Sequence, residues 1–346
     1  METYSEESIG KFMEVTHTAR LTSSEISHLW TTFMHYSALW CIYEYFISHV
    51  EDPDILAYFQ EDCINIINTR LNAVSDYLTK DGCPVPIGFG KDDVDKDTPR
   101  LFSDIFCLYY TKNMGSIGIG LNGQTLNSSA RPDIREFYTE CLVVAARVAN
   151  RASDILLSKG LYIRPPYITT INEQDFVKEQ NFLQGFLGKP RPLLAVEIDQ
   201  LFLSYINNYL GKSLLIGFRQ VVRSEKIQSY FGRGIEIAEK HIEIFRSLLE
   251  KEAIPAPAFW DAFVTDSTVP PLSDKLMLYH IVELNTIGFR NYATAMSSSL
   301  RHDLSATYAR LMAEVASYLE DGCNIMIENG WFEEPPRMID RQDLVH

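Results

Sequence analysis

From Ile26 onward the apolar positions recur every three or four residues: Ile26, Leu29, Phe33, Tyr36, Trp40, Tyr43 and Ile47. That spacing is the stripe of a helix burying one face. Just before it, Thr22-Ser23-Ser24-Glu25 fits a capping box, in which the hydroxyl serves one orphan N–H and the Glu reaches back to another. Asp52-Pro53 ends this helix and opens a second, since proline suits a first turn. Ile55, Phe59, Ile66, Leu71, Val74 and Leu78 carry the second apolar face, and Gly82-Cys83-Pro84-Val85-Pro86 stops it. The pattern predicts a third helix over about Leu101 to Leu121, with Cys107, Tyr110, Met114 and Ile117 on one face. A fourth, capped by Asp133, runs to Gly160; the double proline Pro165-Pro166 cannot continue it. Leu142-Val143-Val144-Ala145-Ala146 alone resembles a strand, but the length and period of the surrounding run decide for helix.

The pattern then repeats. Arg131, Asp133, Tyr138, Gly160 and Pro166 have counterparts Arg301, Asp303, Tyr308, Gly330 and Pro336, each 170 residues further on. Glu25-Ile26 returns as Glu197-Ile198, and Pro84-Val85-Pro86 as Pro255-Ala256-Pro257. A period this long is a duplicated domain and not a solenoid unit. Residues 167–190 join the copies, with an aromatic hinge at Asn181-Phe182-Leu183-Gln184-Gly185-Phe186-Leu187-Gly188. The expected fold is all-α: two tandem four-helix bundles, residues 1–175 and 176–346, each with a long crossover loop and its own core.

Composition narrows the function more than the fold. The chain has 346 residues and a net charge of −15, which argues against a nucleic-acid footprint and against docking on anionic lipid. Residues 1–20 read as a polar lead-in without an apolar secretory core, and no run approaches membrane-spanning length, so the expected location is cytoplasmic with no membrane insertion. The six cysteines contain no CxxC pair and read as scattered core thiols. Asp92, Asp93, Asp95 and Asp97 lie in a loop lacking the central Gly and the closing Glu of a calcium-binding hand. Gly118-Ile119-Gly120-Leu121-Asn122-Gly123 matches GxGxxG by letter, but it closes a helical pattern where a dinucleotide fingerprint opens one. The expected account is a close helix approach followed by a Gly-rich helix end. Arg131 with Asp133, and Arg301 with Asp303, suit helix capping with a local ion pair. No nucleophile elbow is present, and Ser297-Ser298-Ser299 does not form one.

Lys189-Pro190-Arg191-Pro192-Leu193 with Glu197-Ile198, together with the Gly-Trp-Phe and Pro-Pro ending, resembles domain of unknown function 3231, a family of spore-forming bacteria. The resemblance covers nearly the whole chain as two units. It implies a duplicated ferritin-like bundle with no established activity. Gly330-Trp331-Phe332 is also similar to spore coat protein F-like proteins, which implies a spore or stress context.

Ferritin-like bundles raise the question of a di-metal site, which needs Glu-x-x-His motifs on two helices. None occurs here. The second copy is nevertheless polar where the first is apolar: Asn208 for Tyr36, Lys212 for Trp40, His280 for Tyr110 and Glu314 for Val144. Glu239, His241, His280 and Glu283 are therefore candidate ligands for a divalent metal such as iron, manganese or zinc, or the wall of a small-ligand pocket in the second bundle. The alternative is structural: Lys212 pairs with Glu283 or Glu314, and His280 donates to a backbone carbonyl. Two functional readings stand. One is a non-enzymatic protein that binds a protein partner or forms a homo-oligomer, for which exposed aromatics would be the mark. The other is a metal- or ligand-binding bundle with a redox or storage role.

Overall fold

The computed structural model describes residues 19–169, 173, 176–186, 188, 190–257 and 263–344. Most of the predicted polar lead-in and part of the hinge lie outside the described residues.

Helix α1 spans Ser23–His49. Its capping box forms as the sequence predicts: the Glu25 N–H donates to Thr22 Oγ1 at 3.3 Å, and the Thr22 N–H donates to Glu25 Oε2 at 2.8 Å. The second rod is α2 (Pro53–Tyr58), a π turn (Phe59–Ile64) and α3 (Asn65–Lys80), opened by the Asp52 side chain and Pro53. Helix α4 runs Asp104–Ser128 and α5 Pro132–Ser158. After the linker come α6 (Ala195–Val221), α7 (Glu225–Glu250), α8 (Asp274–Ser298) and α9 (His302–Glu328). Gly160 and Gly330 both take φ of 68° just beyond a helix end, where only glycine is unstrained. Among the described residues the only β pairing is two isolated bridges. The chain is all-α, and each half supplies four rods.

Two local expectations need correcting. Helix α4 does not end in its glycines; they lie inside it. A Cβ on Gly115 would sit 2.8 Å from the Ala149 backbone N, and one on Gly118 would sit 3.0 Å from Ala145 Cβ. These two let α4 and α5 pack with backbones close, whereas Gly120 and Gly123 meet nothing within 4 Å. Nor does Asp133 cap α5. Arg131 occupies the cap position without a side-chain cap bond, and Asp133, inside the first turn, clamps its guanidinium at 2.6 Å and accepts from the Ile134 N–H at 2.9 Å. The helix start is served instead by fully buried Glu25, whose Oε1 accepts from the Ala130 and Arg131 N–H groups at 2.9 and 2.7 Å. Glu197 repeats this staple with Leu300 and Arg301 and also holds Arg191 in a bidentate pair at 2.8 Å. Burial alone would raise both carboxyls, but these hydrogen bonds hold them below the ordinary glutamate value.

The two copies meet about a pseudo-two-fold axis. Val94 pairs with Leu272 and Phe102 with Val264; adding 170 to one bridge generates the other. Tyr110 touches its own duplicate, His280. Partners exchange as they do at an isologous dimer interface. The expected pair of separate cores is replaced by one large cluster drawing on both halves, with a satellite at each far end. Rings cross the boundary: Phe102 meets Phe218 at 6.1 Å, Phe106 meets Phe263 at 5.7 Å, and Phe89 meets Tyr279 at 4.8 Å. The acidic loop belongs to this seam, since Ser273 Oγ donates to Asp93 Oδ1 at 2.6 Å.

Candidate functional site

Each half encloses a cavity among its four rods. The larger, about 310 Å³, lies in the first half between α1, the π turn, α4 and α5, and α8 reaches into it from the second half. Its exposed lining residues Ser27, Thr31, Gln124 and Arg290 mark a mouth, while Leu39, Tyr43, Cys63 and Met114 form buried wall. The cavity of the second half, about 130 Å³, is lined by Asn207, Asn208, His241, Asn285 and Tyr292, with Tyr110 and Asn113 entering from α4.

The two copies also differ in length along this wall. The cap residues Asp52 and Ser224 are 172 apart, as are Tyr58 and Tyr230, but Leu78 and Leu249 are 171 apart. The first copy therefore holds one extra residue between Tyr58 and Leu78. A helix absorbs one extra residue as a π turn, and the turn at Phe59–Ile64 falls inside that interval, on the wall of the larger cavity. Helix α7 lacks the insertion and runs uninterrupted.

The four residues singled out by the sequence do not converge. Glu239 points to solvent and pairs with Lys212 at 2.8 Å, so Lys212 does not meet Glu283 or Glu314. His241 is buried, 3.0 Å from the Tyr292 hydroxyl and 3.3 Å from Glu314 Oε2, and Glu314 also takes Lys240 at 2.7 Å. Burial lowers the His241 pKa against the opposing pull of Glu314, which favours the neutral imidazole. His280 and Glu283 do come together, but in a different cluster. His280 Nε2 is hydrogen-bonded to the Tyr110 hydroxyl at 2.9 Å and not to a backbone carbonyl. Its Nδ1 stands 3.7 Å from Glu283 Oε2, too far for a hydrogen bond, and both atoms are buried and unsatisfied. Glu283 Oε1 closes the chain on His35 Nδ1 at 2.7 Å.

Tyr110, His280, Glu283 and His35 thus form a line of polar groups through the seam. Tyr110 lines the smaller cavity; Glu283 and His35 line the larger. Burial opposes charge at both ends of the His35–Glu283 pair, and their mutual attraction overcomes it. His35 is held above the ordinary imidazole value and Glu283 is brought down to about 2. The pair joins α1 to α8 and each partner favours the charged form of the other. Cys63, in the π turn, stays a thiol because burial pushes it up to about 12. Among the described residues no group of three or more His, Cys, Asp or Glu is placed to hold a metal ion.

His35, Arg290 and the π turn went unremarked in the sequence. The usable signal for His35 was polarity beside the α1 stripe, but its counterpart Asn207 is polar too, so comparing the copies showed no contrast.

The family described as "Protein of unknown function (DUF3231)" matches residues 11–173 and 181–344. The chain belongs to that family, as two tandem units. A solved structure of a "putative spore coat protein" from Bacillus halodurans is similar at 20% identity and a TM-score of 0.41; the match covers 44% of this chain and 98% of that one. No curated protein matches.

Proposed function

We propose that this protein binds a small organic molecule in the first-half cavity. The supporting observation is the cavity itself, at about 310 Å³ with a mouth, against a smaller one in the duplicate that lacks the inserted residue. Ligand sites begin at roughly 300 Å³ and are mostly apolar with a few placed polar groups. The test is titration with 1-aminoanthracene, a neutral fluorescent probe. Binding is expected to saturate at one site. Filling the wall with Val144→Phe plus Val148→Phe is expected to weaken it at least about ten-fold, or about 1.4 kcal/mol, with the fold retained. Unchanged affinity in the filled variant, or no binding to the wild type, would refute the reading.

The partner-binding reading has its own support in the linker, where Tyr167, Phe176 and Phe186 are 89%, 90% and 67% exposed. It expects Tyr167→Ser plus Phe186→Ser to lower the mass measured by light scattering. A wild-type chain that is already monomeric at high concentration would remove the self-association form of it. Among the described residues no helix is long and apolar enough to cross a membrane.

A further inference from the structure

One charge at the mouth of the larger cavity has no opposite charge beside it. Asp62 is paired with Arg151, which also takes Glu61 from outside the cavity, and Glu283 is paired with His35. Arg290, at the mouth, is left with a neutral partner: its guanidinium donates to the Gln124 carbonyl oxygen. A guanidinium has five N–H donors, so one such contact leaves most of the fork open. Among the described residues no carboxylate forms an ion pair with it. Besides burial, the Arg290 charge helps to lower the pKa of His28, the neighbouring wall residue, which is hydrogen-bonded to Ser128 at 3.0 Å. The mouth therefore carries one net positive charge on a protein whose total is −15.

Several hydroxyls of the wall are already engaged. Thr32 is engaged with Tyr138 at 3.0 Å, Tyr43 with Thr111 at 3.1 Å, and Thr31 with the Ser27 carbonyl at 2.9 Å. The wall also holds a hydrocarbon stretch of Leu39, Ile66, Leu121, Val144 and Val148, beside the Asn122 amide and, at the inner end, the open Glu283 Oε2. An apolar body suits this wall, because it leaves no new buried polar group without a partner.

The orientation follows from α8. Glu283 and Arg290 both line the cavity and are seven residues apart, two turns or about 10 Å along the helix. An anionic group at the inner end would face the Glu283 carboxylate; at the mouth it meets the guanidinium fork. The charge of the ligand follows from the count of cations. One guanidinium matches one negative charge, whereas a phosphate monoester would bring a second with nothing to meet it.

Resting on the reading that this cavity binds a small molecule, we infer that its ligand is a small amphiphilic carboxylate, with its apolar body inside and its carboxylate bidentate on Arg290. The duplicate gives an internal contrast. The position of Arg290 is taken in α4 by Gly120, which has no side chain to offer the smaller cavity.

The test compares octanoate, octanol and octyl phosphate as competitors of 1-aminoanthracene at low salt, on the intact chain. Wild type is expected to bind octanoate about ten-fold tighter than octanol, the scale of a charge-assisted pair at a partly exposed site. It is expected to bind octyl phosphate more weakly than octanoate. Arg290→Gln should abolish the octanoate preference and leave octanol unchanged. Arg290→Lys should keep part of the preference, since the charge survives without the planar fork. Equal affinities for octanoate and octanol in wild type, a preference that survives Arg290→Gln, or octyl phosphate binding tightest would each overturn the inference. If the neutral probe and octanol bind without any octanoate preference, the cavity stands and only the ligand class falls. If neither binds, both fall.

Discussion

His35 and Glu283 are the clearest case of a pair the fold creates and no local pattern announces. They are 248 residues apart in sequence, and each side chain is 14% exposed. Removing one partner leaves a buried charge with too little compensation, whereas replacing both with hydrocarbon removes the cost of desolvation as well. His35→Leu alone, which strands the buried Glu283 carboxylate, is therefore expected to destabilise the protein by about 3 kcal/mol in urea unfolding, and His35→Leu plus Glu283→Leu to recover most of that. The pH dependence has a definite sign. Glu283 falls from its ordinary 4.5 to about 2, so its contribution is present above 4.5 and lost as pH drops toward 2. His35 rises above 6.5, so its contribution is present below 6.5 and lost as pH climbs through the raised value. The stability difference between wild type and the double variant should peak between pH 4.5 and 6.5. Because both proteins keep His28 and His241, their opposite titrations cancel. A difference that is flat from pH 3 to 8 would contradict the pair. At this scale the sequence was partly legible: the mismatch between copies at positions 110 and 280 singled out His280, but as the wall of a pocket in the second bundle and not as a contact between copies. Grouping Glu239 with His241 went wrong because residues two apart on a helix do not share a face.

Helix α4 shows what sequence pattern conveys about an element and what it conceals. The small residue at 118 signalled close approach to a neighbour; the structure bears this out and adds Gly115, which the sequence reading did not single out. The glycines at 120 and 123 looked like a stop, since glycine is a poor helix former. Packing against α5 overrides that propensity and carries the helix on to Ser128. The two kinds of glycine should respond oppositely. Gly115→Val drives a side chain into the Ala149 backbone and is expected to destabilise by about 2 kcal/mol or more. Gly120→Ala meets nothing within 4 Å and is expected to stabilise by about 0.5–1 kcal/mol through reduced chain entropy. Thermal melts of the two variants check this, and equal shifts of the same sign would refute it. The π turn was hidden for another reason. One inserted residue leaves the apolar stripe readable on both sides, and only the change of repeat spacing from 172 to 171 betrays it.

At the scale of the whole molecule, the duplication was legible because identical spacings survive in the chain, but the way the copies fit together was not. Each copy predicts four rods with an apolar face, and nothing in that pattern says whether the face closes on itself or on the other copy. The structure does both: satellites close within each half, while the main cluster takes Phe102, Phe106 and Tyr110 from one half and Phe218, Leu276 and Ile281 from the other. The seam also holds the paired crossover loops, with Asp95 N–H on the Pro271 carbonyl at 2.8 Å and Thr265 N–H on the Leu101 carbonyl at 2.9 Å. A half produced alone would leave this surface open to water, and an apolar face of this kind drives association. Residues 1–175 and 176–346 made separately are therefore expected to self-associate or precipitate, and made together to co-purify in equal amounts as one particle. Because the larger cavity takes Glu283 and Arg290 from the second half, the first half alone should also lose probe binding, and the mixture should restore it. A first half that stays monomeric, melts cooperatively and binds 1-aminoanthracene as tightly as the intact chain would mean that the seam is an ornament on two independent bundles and that the cavity belongs to one copy.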